Sequence, residues 1–137
     1  MNKNIIFFLS LGMIIITLFS IALSIFASKS VLDRRVYHAS IIVADYGGLV
    51  GNDTSFVFGA VPHGSSAEKK LSVQNGYDFP IIVNIIPIKG IEQFVQEKQE
   101  IISSGQERNV SIIAIVPNGI EKKKYEGEIV VELRYAQ

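Results

Sequence analysis

Cysteine is absent from all 137 residues, which removes disulfides, thiolate metal sites and cysteine nucleophiles together. A small domain without disulfides must be held by its apolar core. The absence fits a bacterial or archaeal exterior better than a eukaryotic secreted domain, and by itself it does not fix the compartment. Histidine is scarce too. His38 and His63 are the only two, and neither has a histidine or carboxylate partner at a spacing that makes a metal-ligand set. An excess of either charge is also lacking. Lys and Arg number 13, as do Asp and Glu, and setting Lys3 aside leaves the rest close to neutral, without the clustered basic charge of a nucleic-acid surface.

What the sequence does have is one long apolar run, 23 residues from Ile5 to Ala27 without a charge, broken only by Ser10, Gly12, Thr17, Ser20 and Ser24. At about 1.5 Å per residue, such a helix crosses a hydrocarbon core of roughly 30 Å. Two readings stand. One is a retained signal anchor over residues 1–27; the other is a cleavable signal peptide with Ala22, Leu23 and Ser24 as its small-residue site. Length favours the anchor, because the apolar region of a signal peptide runs about 7 to 15 residues. Lys3 flanks one end, and Lys29, Arg34 and Arg35, offset by Asp33, flank the other. This charge balance leans slightly toward a cytoplasmic domain. A short polar tip before a long apolar run is, against that, the usual arrangement for exporting a C-terminal domain. The triplets Asn52-Asp53-Thr54 and Asn109-Val110-Ser111 read as glycosylation acceptors or as plain polar turns. The expectation is a single-pass cell-membrane protein, touching lipid through residues 5–27, with its C-terminal domain outside the cytoplasm. Ser20 and Ser24 lie on one helix face; tolerated small residues are the plainer reading and helix pairing the sharper one.

After a juxtamembrane linker, residues 28–35, the pattern changes to period two, the signature of strands. Strands are expected at Val36–Val43, Thr54–Phe58, Glu68–Gln74 with Leu71 and Val73 inward, Ile81–Ile86, Val110–Val116 and Tyr125–Tyr135. Ile91–Gln96 reads as a short edge strand, with Glu97–Glu100 as a helical turn. In the last strand Ile129, Val131, Leu133 and Tyr135 face the core, leaving Glu128, Glu132 and Arg134 wet. Turns fall at Pro62-His63-Gly64, Asn75-Gly76, Ser103-Ser104-Gly105 and Pro117-Asn118-Gly119. About seven short strands with regular turns and no second long helix predict an all-β, two-sheet sandwich over residues 36–137.

Three segments carry a resemblance: Phe58-Gly59-Ala60-Val61-Pro62-His63-Gly64, Lys70-Leu71-Ser72-Val73-Gln74-Asn75, and Tyr125-Glu126-Gly127-Glu128-Ile129-Val130-Val131. Their succession resembles the immunoglobulin-like β-sandwich modules of the hydin, abnormal-spindle and major-sperm-protein type and their bacterial and archaeal secreted relatives. It spans Ser55 to Tyr135. The resemblance implies an immunoglobulin-like fold and a binding or structural role without catalytic residues. Gly59 and Gly64 would permit a tight corner, Asn75 would cap a strand, and Gly127 would let the last strand bend. The N-terminal strand and the Asp45–Asp53 loop lie outside the module pattern.

Catalytic chemistry finds no anchor. Ser40, Ser72 and Ser111 sit in strand patterns rather than at a nucleophile elbow. The Asp45–Asp53 loop offers oxygen ligands without the spacing or closing Glu of a calcium loop, and a plain connection is favoured; its glycines lack the Lys and Ser or Thr of a phosphate loop. No cofactor, metal, nucleic acid or small-molecule substrate is expected. Lys122, Lys123 and Lys124 form one basic hairpin tip, a solvated turn or a contact for anionic headgroups. If Ile81, Val83 and Ile85 point inward, Ile82 and Ile86 point out; Ile113 and Ile115 likewise oppose Val110, Ile112 and Ala114. These four isoleucines are the candidate contacts for another envelope protein or a second copy, unless another segment covers them. The leading expectation is a non-enzymatic, membrane-anchored binding or structural subunit. The alternatives are a pilin- or archaellin-like filament subunit, although Met1-Asn2-Lys3-Asn4 lacks that class's processing site, and an accessory, stator-like subunit of a membrane complex.

Overall fold

The computed structural model describes residues 3–29, 31–48 and 55–136. They form two compact units, Met1–Val31 and Leu32–Gln137. The first is helix α1, Lys3–Lys29, whose segment Asn4–Ile25 is long and apolar enough to cross a membrane; a signal sequence would have the same property. Three of its hydroxyls are satisfied within the helix. Ser10 Oγ donates to the Phe7 carbonyl at 2.9 Å, Thr17 Oγ1 to that of Met13 at 2.8 Å, and Ser20 Oγ to that of Ile16 at 2.9 Å. An apolar solvent therefore meets no unpaired hydroxyl at these positions.

The second unit holds β1 (Val31–Val43), β2 (Phe56–Val61), β3 (Ser66–Gln74), β4 (Ile81–Ile88), β5 (Lys98–Ile102), β6 (Glu107–Ile115) and β7 (Lys124–Tyr135). Five of them form one sheet in the order β2-β1-β7-β4-β5, and β3 pairs with β6 in a second. Alternation places the core between them: β4 is buried at Ile81, Val83 and Ile85, and β6 at Val110, Ile112 and Ala114. These residues join Ala39, Ile41, Phe58 and Ile129 in one apolar cluster.

Several expectations are corrected. Residues 28–35 are not a linker: α1 runs to Lys29 and β1 begins at Val31, and Leu32 packs on the core. The second strand starts at Phe56 and continues to Val61; Thr54 lies outside the described residues. β2 runs parallel to β1, and its register slips between Val57 and Ala60, where Gly59 takes φ 77°. That bulge is the conformation glycine alone adopts without strain.

Ile91–Gln96 is not an edge strand. Ile91, Phe94 and Val95 are all buried, the i, i+3, i+4 spacing of a helical turn, and the Phe94 and Val95 amides both donate to the Ile91 carbonyl. The turn docks on the open edge of β6 through a Val95–Ala114 bridge. The strand is instead β5, Lys98–Ile102, overlapping the segment expected to be helical. The wet face expected of the last strand holds at Arg134, which is exposed, and in part at Glu128, but fails at Glu132, because β7 lies between β1 and β4. Val130 is 2% exposed and Glu132 7%, covered by neighbours on both sides. Glu132 Oε1 accepts from Arg134 Nε at 2.9 Å.

Candidate interaction surfaces

The four candidate isoleucines do not form one surface. Ile82 and Ile86 lie on the outer face of the five-stranded sheet, half-buried, whereas Ile113 and Ile115 are exposed on the outer face of the β3-β6 pair. On the first face the register places Ile82 beside Ile101 of β5 and Arg134 of β7, and Ile86 beside Val130. Ile101 is 59% exposed. A polar row separates the two apolar clusters. Asn84 pairs with both Gln99 and Glu132, and Gln99 Nε2 donates to Asn84 Oδ1 at 3.1 Å. On the second face Glu68 sits opposite Ile113 and Ser66 opposite Ile115, so this apolar pair is narrow and hemmed by polar side chains. Sequence reasoning misses Ile101 because the residues before it read as a helical turn, to which no strand alternation can be assigned.

The basic tip is charge-paired. Lys122 Nζ lies 2.7 Å from Asp45 and Lys123 Nζ 2.8 Å from Glu121, while Lys124 pairs with Glu126. Lys123 also sits over the Tyr125 ring, 5.3 Å from its centroid. The hydrogen bond and charge of Lys122 lower the pKa of Asp45 below the ordinary carboxylate value, and those of Lys124 do the same for Glu126. Positive charge at this tip is therefore largely compensated by its own carboxylates.

His38 faces Glu126 at 3.7 Å on an exposed surface. His63 Nε2 lies 2.6 Å from the Ile120 carbonyl, tying the β2-β3 turn to the loop before β7. In the Asp45–Asp53 loop, Gly48 exchanges both backbone hydrogen bonds with Ala60, and Asp45 is engaged by Lys122; Gly51, Asn52 and Asp53, with the first acceptor triplet, lie outside the described residues. Among the described residues no group of three or more His, Asp or Glu is placed to hold a metal ion.

Asn75 is fully buried. Its Nδ2 donates to the carbonyls of Phe79 at 2.8 Å and Ile102 at 3.0 Å, and its Oδ1 accepts from the Tyr77 amide at 3.0 Å. It thereby fastens the β3-β4 loop to the end of β5. Capping of a strand, the expected role, describes only the local half of this.

Among the described residues these features define a class at the level of architecture: a β-rich domain of seven strands in two sheets, preceded by one helix long and apolar enough to span a membrane. The chain matches no protein-family model. It matches no curated protein and no solved structure.

Proposed function

We propose that α1 is a retained anchor and that the β domain is a non-catalytic binding module, displayed outside the cytoplasm, whose contact surface is the outer face of the five-stranded sheet. The observation that carries this reading is the Ile82–Ile101 pair. A sheet face meant for water shows polar residues at alternate positions, yet the outward positions of β4 are Ile82, Asn84, Ile86 and Ile88, and Ile101 beside them is largely exposed. Apolar side chains grouped on a sheet face mark contact with another chain. The interrupting polar row would give that contact register and orientation.

An immunoglobulin-like reading of the domain is supported by strand order. The sequence β1-β7-β4-β5 corresponds to strands G, F, C and C′ of a variable-type sheet, and β3-β6 to strands B and E. In that reading β1 fills the place of the last strand from the beginning of the chain, a permuted connection that accounts for a strand lying outside the module pattern.

Two measurements test the proposal. Mass spectrometry of the protein extracted from membranes should recover residues 5–27 joined to the β domain, and extraction should require detergent. A soluble form starting after Ser24 or Ala27 would refute the anchor, and loss of the first residues together with sheared filaments would replace it with the filament reading. Photo-crosslinking amino acids placed at positions 82 and 101 should yield adducts with an envelope protein. Adducts only from positions 113 and 115 would move the contact to the other sheet.

A further inference from the structure

The end of the β domain where β1 begins carries an aromatic cluster that the fold does not enclose. Tyr77 and Phe79 stack with ring centroids 5.1 Å apart, and Phe79 meets Tyr135 at 4.9 Å. Phe79 packs on the core, but Tyr77 remains 39% exposed and Tyr135 46%. Position along the sheet is fixed by register. Tyr135 lies opposite Ile81 at the start of β4, and the Val43 amide at the far end of β1 donates to the carbonyl of Lys123, just before β7. The beginning of β1 and the end of β7 therefore share one end of the domain, and the lysine tip occupies the other.

Chain connectivity adds the second observation. Lys29 closes α1 and Val31 opens β1, so two peptide steps, at most about 7 Å, separate helix from strand. With α1 in a bilayer, the anchor reading on which this inference rests, the first residues of β1 cannot leave the membrane surface. Tyrosine rings, apolar in body and polar at the tip, are the side chains that favour the headgroup region, and the exposed Arg34 supplies a cation for lipid phosphates at the same end, Arg35 being paired with Asp33 at 3.1 Å.

We infer that the Tyr77–Phe79–Tyr135 end of the domain seats on the phospholipid interface, with Tyr77 and Tyr135 among the headgroups. The outer sheet face is thereby held upright for its partner.

The chain contains no tryptophan, so single Trp variants report one site each. Tyr77→Trp, Tyr135→Trp, Lys123→Trp and Phe19→Trp are made in the full chain and reconstituted in vesicles of phosphatidylcholine and phosphatidylglycerol carrying headgroup- or chain-labelled quenchers. The 12 residues of β7 extend about 37 Å at about 3.4 Å per residue, which places the lysine tip beyond reach of lipid-borne quenchers in a seated domain. Expected are a blue shift and loss of emission to headgroup quenchers for Trp at 77 and at 135, neither change at 123, and loss to chain quenchers at 19. Quenching at 19 with solvent-like emission at both 77 and 135 overturns the seat while leaving the anchor intact. Absence of quenching at 19 overturns the anchor and the seat with it. Equal quenching at 77, 135 and 123 also overturns the seat, since it means a domain lying on its side.

Discussion

Asn75 and Gly127 are two residues at which this fold is sensitive to small changes in a side chain. Removing the buried Asn75 side chain leaves the Ile102 carbonyl without this partner in a buried setting, and the Phe79 carbonyl and Tyr77 amide in part-buried ones. Each unsatisfied buried group costs about 1–3 kcal/mol, with partial relief by water. Asn75→Ala should therefore destabilise the domain by about 2–4 kcal/mol, read from urea unfolding of the full chain in detergent. Asn75→Asp should be no better, because it places a carboxylate against two carbonyl oxygens. At Gly127 the constraint is space. A Cβ there would lie 2.7 Å from the Ile88 carbonyl oxygen and 2.9 Å from both the amide nitrogen and Cβ of Ile91, where the turn after β4 presses on β7. The expected reason, a bend in the last strand, gives way to this close approach. Gly127→Ala should cost about 1–3 kcal/mol by overpacking. Gly76→Ala, with nothing within 4 Å of the new atom, should change stability by no more than about 0.5 kcal/mol.

Among the elements, β1 and the hairpin tip make separable predictions. From Ala39 onward β1 lies between β2 and β7, and its earlier half runs along β7, so it belongs to the sheet although it comes first in the chain. A soluble domain beginning at Val31 should fold. One beginning at Val36, the boundary suggested by the strand pattern, loses the packing of Leu32 and uncovers part of β7. It should be less stable by at least about 2 kcal/mol on apolar burial alone, measurable as a lower midpoint in urea. At the tip, Asp45 and Glu126 are held below the ordinary carboxylate value by Lys122 and Lys124. A carboxyl with a depressed folded-state pKa contributes stability that is complete above its unfolded pKa and disappears as pH falls through the folded value. The tip should accordingly stay paired at neutral pH and loosen only below the ordinary carboxylate range. Both groups are exposed and salt-screened, so the effect on the whole domain is small. Side-chain carboxyl titration by NMR should give low midpoints for Asp45 and Glu126. Salt near about 1 M should raise both, and Lys122→Met should raise that of Asp45 alone.

At the scale of the molecule, the proposed arrangement predicts that protease added to intact cells degrades the β domain and leaves α1 protected. Survival of the domain would place it on the cytoplasmic side. The sequence by itself determined the apolar helix, since an uncharged run of this length needs no partner to be recognised. It also determined most strands whose inner and outer residues differ: the alternation in β3, β4 and β6 is a local consequence of one wet and one dry face. It misplaces the elements whose environment comes from elsewhere in the chain. The pattern starts β1 late because Asp33, Arg34 and Arg35 break the apolar alternation of a stretch held along β7, before β2 joins at Ala39. The Ile91 turn reads as a strand because three buried residues at helical spacing look like a short apolar run. Glu132 is expected in water because nothing local announces that β7 is central. Only the tertiary structure decided that Ile82 and Ile86 belong with Ile101 while Ile113 and Ile115 face the opposite way. The reason is physical: the period of two assigns each residue to a side of its own strand, whereas which strands share a sheet, and so which exposed residues form one surface, depends on hydrogen bonds between segments far apart in the chain.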